Sequence, residues 1–152
     1  MSRLRPLPPT FHERVRERLR ARAEAAGLDG LLLLAAGNVT YATGWHFSVN
    51  ERPVGVWLPV DGDPLLLVPL LELENALDVP GHRVRAYEEF PGERPPVLWM
   101  IGEAVRSRTS TPSFGAGATT GGLRLAVDTF EAELLDEARR LVTRLDLAEQ
   151  VL

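Results

Sequence analysis

The side chains of this sequence that could do chemistry are scattered along it. Its three histidines, His12, His46 and His82, lie far apart and share no ligand spacing, so no metal motif can be read from them. His12 falls on the polar side of an expected helix beside Glu13, and His82 follows Pro80 and Gly81 in an expected turn, so both read as surface residues. The absence of cysteine excludes disulfides, thiolate zinc sites, iron–sulfur clusters and cysteine nucleophiles. All 17 basic residues other than histidine are arginine, which excludes a Schiff-base or phosphate-loop lysine. No Gly-x-Ser-x-Gly elbow is present to carry a hydrolase serine.

The carboxylates are equally uncommitted. Glu72 and Glu74 are two residues apart, so on a helix they point to different sides. Asp61 with Asp63, and Glu88 with Glu89, fall in expected turns and read as solvated. An acid–base pair needs one carboxylate held in an apolar pocket, and the sequence indicates none. The glycine-rich run Gly115 to Gly122 has the composition of a phosphate cradle but follows a helix and precedes a strand, the reverse of the order that aims a helix N-terminus at a phosphate. It reads as a loop. Asn38-Val39-Thr40 matches a glycosylation sequon, but the stretch Met1 to Pro9 has no apolar segment to act as a secretory signal.

One stretch concentrates recognition chemistry. Residues 45–52 hold Trp45, His46, Phe47, Asn50, Glu51 and Arg52 within eight positions. Loops rich in aromatics and arginine are often binding surfaces. The alternative is that Trp45 and Phe47 pack on the edge of the core while Arg52 pairs with Glu51. The sequence leaves both readings open.

The elements around this loop are set by periodicity and punctuation. Pro6, Pro8 and Pro9 predict an extended arm over residues 1–9. Thr10 with Glu13 has capping-box spacing, and Phe11, Val15, Leu19, Ala23 and Ala26 form an amphipathic stripe that Gly27 ends. Leu28 to Leu34 is continuously apolar, as suits a strand covered on both faces. Asn38 to Thr43 predicts a helical turn ended by Gly44. Pro53 to Leu58 and Pro64 to Pro69 flank Asp61-Gly62, a hairpin signal. A short helix over Leu70 to Leu77, a strand over Arg83 to Tyr87, a helix over Pro95 to Val105 and a loop over residues 107–122 follow. Leu123 to Val127 predicts a strand. Asp128 with Glu131 has capping spacing for a final helix whose buried stripe is Phe130, Leu134, Ala138, Leu141 and Leu145. Strands alternating with helices predict an α/β fold: a mixed β-sheet of about five to six strands with helices on both faces.

Length and composition bound the rest. At 152 residues with 45% apolar and 25% charged side chains, the chain reads as one domain, residues 1–152, able to bury roughly 70% of its unfolded surface. Its net charge of −4 argues against a nucleic-acid partner. The arginine-dense stretch Arg14 to Arg22, interspersed with Glu13, Glu17 and Glu24, reads as a solvated helix face. No run of 18 apolar residues is available to span a membrane, and a cytoplasmic location is expected. The apolar hairpin over residues 53–69 reads as an exposed sheet edge suited to self-association.

Taken in order, Leu28-Asp29-Gly30-Leu31-Leu32-Leu33-Leu34, Asn38-Val39-Thr40-Tyr41-Ala42-Thr43-Gly44, Glu51-Arg52-Pro53, Leu58-Pro59, Asp61-Gly62 and Leu66-Leu67-Val68-Pro69 resemble the N-terminal domain of the creatinase/prolidase/aminopeptidase P family, the metal-dependent Xaa-Pro peptidases. Leu123 to Asp128 matches that family's later strand, and the resemblance covers essentially the whole chain. Two departures stand out: a longer, more glycine-rich loop at 107–122, and Ala42 where leucine is common. The resemblance implies the family's N-terminal fold, with its ribonuclease H-like motif. It also implies a catalytic domain, absent from these 152 residues, that holds two divalent metals such as Mn, Co or Zn; this chain is expected to hold no cofactor, no metal ligand and no catalytic residue. In such enzymes the N-terminal domain mediates oligomer contacts and narrows the active-site entrance. By position, Trp45, His46, Asn50 and Arg52 are the candidates for that substrate rim. Two further readings remain: a stand-alone binding or regulatory module for a peptide or small molecule, and an independent enzyme with an unrecognised site.

Overall fold

A computed structural model describes residues 7–89, 94–109 and 122–148. Most of the expected arm (residues 1–6) and most of the expected glycine-rich loop (residues 110–121) lie outside that range. The elements are α1 (Pro9–Ala25), β1 (Gly30–Leu33), α2 (Ala36–Thr43), β2 (Gly55–Pro59), β3 (Leu65–Pro69), a 3-10 turn (Leu70–Glu72) leading into α3 (Leu73–Leu77), β4 (Arg83–Tyr87), α4 (Pro96–Thr109), β5 (Arg124–Val127), a second 3-10 turn (Ala132–Leu134) leading into α5 (Leu135–Leu141), and β6 (Arg144–Leu147).

The six strands form one mixed sheet in the order β4-β3-β2-β1-β5-β6. β1 pairs antiparallel with β2 and parallel with β5; β2 and β3 form the antiparallel hairpin; β3–β4 and β5–β6 are parallel. Alternation along the strands divides the core in two. Leu31, Leu33, Val56, Leu58, Leu66, Val68 and Ala126 face α1, α2 and α3 through Val15, Leu19, Ala23, Val39, Ala42 and Ala76. Leu32, Trp57, Leu65, Leu67, Tyr87, Leu125 and Val127 face α4 and α5 through Leu98, Met100, Ile101, Ala104 and Ala138. Helices on both faces explain why the β1 run is continuously apolar: no side of it meets water.

Four local expectations change. Thr10 is not a cap: α1 begins at Pro9, with Pro8 extended before it and no side-chain cap bond, because a proline ring already holds the φ a first helical residue needs. The hairpin at 53–69 is not a sheet edge; β2 and β3 are interior strands, and the edges are β4 and β6. Asp128 does not cap the last helix. Its carboxylate accepts from Leu34 N (2.7 Å), Ala35 N (3.1 Å) and Asn38 Nδ2 (2.9 Å), so it serves the start of α2 from across the sheet. The final helix also stops at Leu141. Val142 is extended (φ −133°, ψ 156°) and Thr143 N donates to Leu123 O (2.8 Å), so Leu145 belongs to a sixth strand and not to a helical stripe.

The arginine-dense face of α1 is more than a solvated surface. His12, Arg16 and Arg20 recur every four residues, one side of a helix. His12 Nδ1 lies 2.9 Å from Tyr41 O, and Arg16 Nη1 donates to Ala42 O at 2.8 Å. These carbonyls belong to the last turn of α2, where a helix has no internal donors left and carries partial negative charge. Arg20 donates to Pro59 O (2.9 Å) and Gly62 O (2.7 Å), holding the β2–β3 turn, in which Gly62 takes a φ of +104°. Arg16 is buried, which lowers its pKa.

His82 packs against this stripe and is not the surface residue expected from sequence. Its Nδ1 lies 2.9 Å from Pro80 O, and its Nε2 is buried with no hydrogen-bond partner. Burial foremost, then the charges of Arg16, Arg20 and His12, push its pKa down to about 4. The fold therefore favours neutral His82. Its contribution is fully present above the unfolded value near 6.5, is lost as pH falls from there toward 4, and does not change further below that. For a partly exposed ring this amounts to about 2 kcal/mol after screening. Urea unfolding of His82→Gln against the unaltered protein from pH 7 to 4 should show their stability difference shifting by about that much in favour of the variant; a difference independent of pH removes the assignment.

A second outcome follows from the close approach of β1 and β2. A Cβ on Gly30 would lie 2.5 Å from both Leu58 O and Trp57 Cη2, whereas one on Gly37 meets nothing within 4 Å. Gly30→Ala is expected to cost about 2 kcal/mol or more by overpacking, and Gly37→Ala to be neutral or stabilising by about 0.5 kcal/mol. Thermal melts of the two variants check this; equal midpoints would contradict it.

Candidate functional site

Loop 45–52 leaves α2 at a fixed angle. Gly44 ends the helix at φ +77°, with its N–H donating to Thr40 O at 2.8 Å, and a Cβ there would lie 2.8 Å from the His12 ring. Thr43 Oγ1 donates to Val39 O (2.8 Å) and accepts from Trp45 N (3.0 Å), while Thr40 Oγ1 donates to Trp45 O (3.0 Å). Trp45 and Phe47 stack at 4.9 Å between centroids with a 34° tilt, and both pack against the core under α1 and α2. This aromatic part matches the core-edge reading.

The far end of the loop is held differently from that reading. Arg52 pairs with Glu89, Nε to Oε2 at 3.3 Å, and not with Glu51. Asn50 Oδ1 accepts from Arg52 N at 2.8 Å, closing an Asx turn. Behind it, Tyr87 Oη donates to Pro53 O at 2.9 Å. Burial first, then the Glu89 charge with Arg52 opposing, push the Tyr87 hydroxyl up to about 12. Glu89, read from sequence as solvated, is thus part of a part-buried anchor.

Between loop and sheet lies a groove of about 260 Å³, lined by Leu34, Ala36, Phe47, Val49, Asn50, Glu51, Arg52, Pro53, Val54 and Glu131. It opens at the carboxyl ends of β1 and β5, neighbouring parallel strands. The chain leaves β1 into α2 on one face of the sheet and leaves β5 into α5 on the other. A crevice where successive connections part to opposite faces is the usual ligand position in an open α/β sheet. Asp128 accepts from the amides of Leu34 and Ala35, beside Ala36, so hydrogen bonds tie that wall to the end of β5.

Of the residues singled out from sequence, Asn50 and Arg52 line the groove together with Phe47 and Glu51. Trp45 does not line it but supports Phe47, and His46 is exposed. Leu34, Val54 and Glu131 were missed. No local signal marks them, because they converge only when β5 is laid beside β1. Chemically, the groove offers an apolar floor, two solvent-exposed carboxylates, an amide and an arginine engaged by Glu89. Among the described residues no three His, Cys, Asp or Glu converge to hold a metal ion, so they do not fit the two-metal centre that the resemblance implies for the enzyme.

Comparison with known proteins places this geometry. Among solved structures, the dipeptidase PepE from Mycobacterium ulcerans superposes with a TM-score of 0.67 at 22% identity over 97% of this chain and 37% of that one. A recombinant prolidase from Thermococcus sibiricus gives 0.64 at 19% identity over 92% and 35%. The Creatinase/Prolidase N-terminal domain of an X-Pro dipeptidase from Streptococcus pyogenes gives 0.63 at 15% identity over 88% and 92%. At these identities the likeness shows the fold. The chain spans little more than a third of the first two proteins and nearly all of the third. No curated protein matches the sequence. The profile of the Creatinase/Prolidase N-terminal domain matches residues 16–139, and on that match the chain belongs to this family.

Proposed function

We propose that this domain is the non-catalytic N-terminal part of a Xaa-Pro dipeptidase-like or aminopeptidase P-like metallopeptidase, where it shapes the active-site entrance and supports oligomerisation. The observation that carries the reading is the groove at the carboxyl ends of β1 and β5, which has one wall tied to β5 by Asp128 and a lining that offers recognition chemistry. The names of the similar structures, a dipeptidase, a prolidase and an X-Pro dipeptidase domain, support it. In this reading a separate catalytic domain supplies two divalent metals and the water they activate. Trp45, His46, Asn50 and Arg52 then form the rim, with Arg52 and Asn50 facing the groove and Trp45 bracing Phe47.

Self-association draws support from a different place than the sequence suggested. Leu70, Leu71 and Leu77, around the 3-10 turn and α3, are 52%, 65% and 64% exposed. Such neighbouring apolar side chains on a surface mark contact sites. In light scattering, Leu71→Glu with Leu77→Glu should reduce an oligomer to a smaller species; an unchanged mass would place the contact elsewhere.

The rim is tested in a metallopeptidase that carries this domain. Arg52→Ala and Trp45→Ala should change the ratio of kcat/KM between dipeptides and longer Xaa-Pro peptides by about tenfold, with metal content unaltered. Unchanged kinetics in both variants would refute the rim. The groove is complete within this chain, which favours one second reading, a stand-alone binding module; saturable binding of a Xaa-Pro dipeptide to the chain alone would support it.

A further inference from the structure

A second cavity lies between α1 and α2 and shares no lining residue with the groove of loop 45–52. Its volume is about 230 Å³, below the roughly 300–1,000 Å³ of drug-sized sites, so it suits a small ligand. Val15, Leu19 and Leu33 are buried side chains of the core and give it an apolar floor. Arg18 and Arg22, four residues apart on α1, place two guanidinium groups on one wall. Tyr41 and Asn38 of α2 form the other.

The two charged residues that line this cavity, Arg18 and Arg22, are both cationic, and Arg22 is engaged in an interaction of its own. His12, Arg16 and Arg20 are engaged with backbone carbonyls on another side of the helix. Arg18 donates through Nη2 to a neutral acceptor, Tyr41 Oη, at 3.1 Å. No carboxylate is among the lining residues, although the chain as a whole has a net charge of −4. Asn38 gives one amide hydrogen to Asp128, which fixes the side chain and leaves its second hydrogen as a donor. Guanidinium, phenol and amide donors around an apolar floor complement an anionic head on a short apolar body, and a planar carboxylate matches the guanidinium fork.

We propose that the α1–α2 cavity binds a small organic carboxylate with an apolar substituent, as a free acid or as the C-terminal residue of a peptide. The site is independent of the rim, so its failure leaves the proposed function standing, and the reverse holds too. The test is a nitrogen-15 NMR titration of the chain at low chloride. The probes are 4-methylpentanoate and its neutral amide, and a short peptide ending in free leucine and its C-terminal amide. A carboxylate probe should saturate in the millimolar range, moving the signals of Arg18, Asn38 and Tyr41, and each amide should bind about tenfold more weakly. Arg18→Gln should weaken the carboxylate by a similar factor, and added salt should weaken it further. Arg14→Gln, on a residue that does not line the cavity, should leave it unchanged. Saturation by only the free acid or only the peptide upholds the proposal and identifies the source. Amides that bind as well as acids, or no saturation by either carboxylate up to about 20 mM, would overturn it. The amide comparison uses the unaltered protein, so its outcome does not depend on a variant folding.

Discussion

The fold depends on how β1 is held at its two ends. β1 alone joins the β4-β3-β2 half of the sheet to the β5-β6 half, antiparallel on one side and parallel on the other. A parallel pair cannot be closed by a tight turn, so its register needs contacts distant in sequence. Two aspartates provide them. At the start of β1, Asp29 accepts from Arg124 N (2.7 Å) and Arg124 Nη2 (3.2 Å), with Arg108 Nη1 at 3.3 Å, while its own N–H donates to Arg124 O and its carbonyl accepts from Val60 N. Burial alone would raise the Asp29 carboxyl; the Arg124 hydrogen bonds and the nearby arginine charges outweigh it and hold its pKa below the usual value. At the other end, Asp128 returns the arrangement, tying the end of β5 to the amides just after β1. The parallel pair is thus clamped at both ends by carboxylates from alternate strands.

The groove inherits its position from that clamp through a second one. The N-cap of α2, Ala35, has no polar side chain, and Asp128 at the end of the neighbouring strand ties down the Leu34 and Ala35 amides that lead into the helix. At the other end of α2, His12 and Arg16 of α1 meet its last-turn carbonyls. A helix of eight residues is too short to be stable alone, and holding both its termini fixes where Gly44 turns the chain out. From Gly44 the loop has little freedom: the two threonines bind Trp45, the aromatic pair sits on the core, and Arg52 docks on Glu89. The shape of a surface groove is therefore set by the cation spacing on α1, some thirty residues earlier in the chain.

This chain of dependence explains what could be read from the sequence. Features decided within a few residues were legible: Gly27 and Gly44 take φ of +71° and +77° as helix stops, Asp61-Gly62 turns a hairpin, and continuously apolar runs become strands covered on both faces. Features decided by remote partners were not. Asp128 and Glu131 have capping spacing, yet the amides that Asp128 satisfies lie more than ninety residues away. Arg52 chose Glu89 over adjacent Glu51 because β4 brings Glu89 alongside, which spacing cannot reveal. β6 was hidden because Leu145 continues a helical stripe, while the free edge of β5 that recruits Arg144–Leu147 exists only in the folded sheet. Alternating strands and helices already pointed to a mixed sheet covered on both faces, and the family resemblance agreed with it, but neither assigned the contacts of the loop.

The distribution of bonded and free polar groups bears on what the groove can do. Catalytic acids and bases work when a titratable group is desolvated, perturbed and left with an open valence toward a substrate. Here the perturbed groups outside the arginines lie away from the groove: Asp29 is held by Arg124, Tyr87 by Pro53 O, and His82 by Pro80 O through Nδ1 with its Nε2 unpartnered, and none of them lines the groove. The polar groups Asn50, Glu51 and Glu131 that line it are exposed to solvent. The perturbed groups thus sit apart from a groove whose exposed polar groups above an apolar floor suit selection by shape and charge. That division is the physical content of the proposed role: the domain would decide what reaches a reactive centre located on another part of the enzyme.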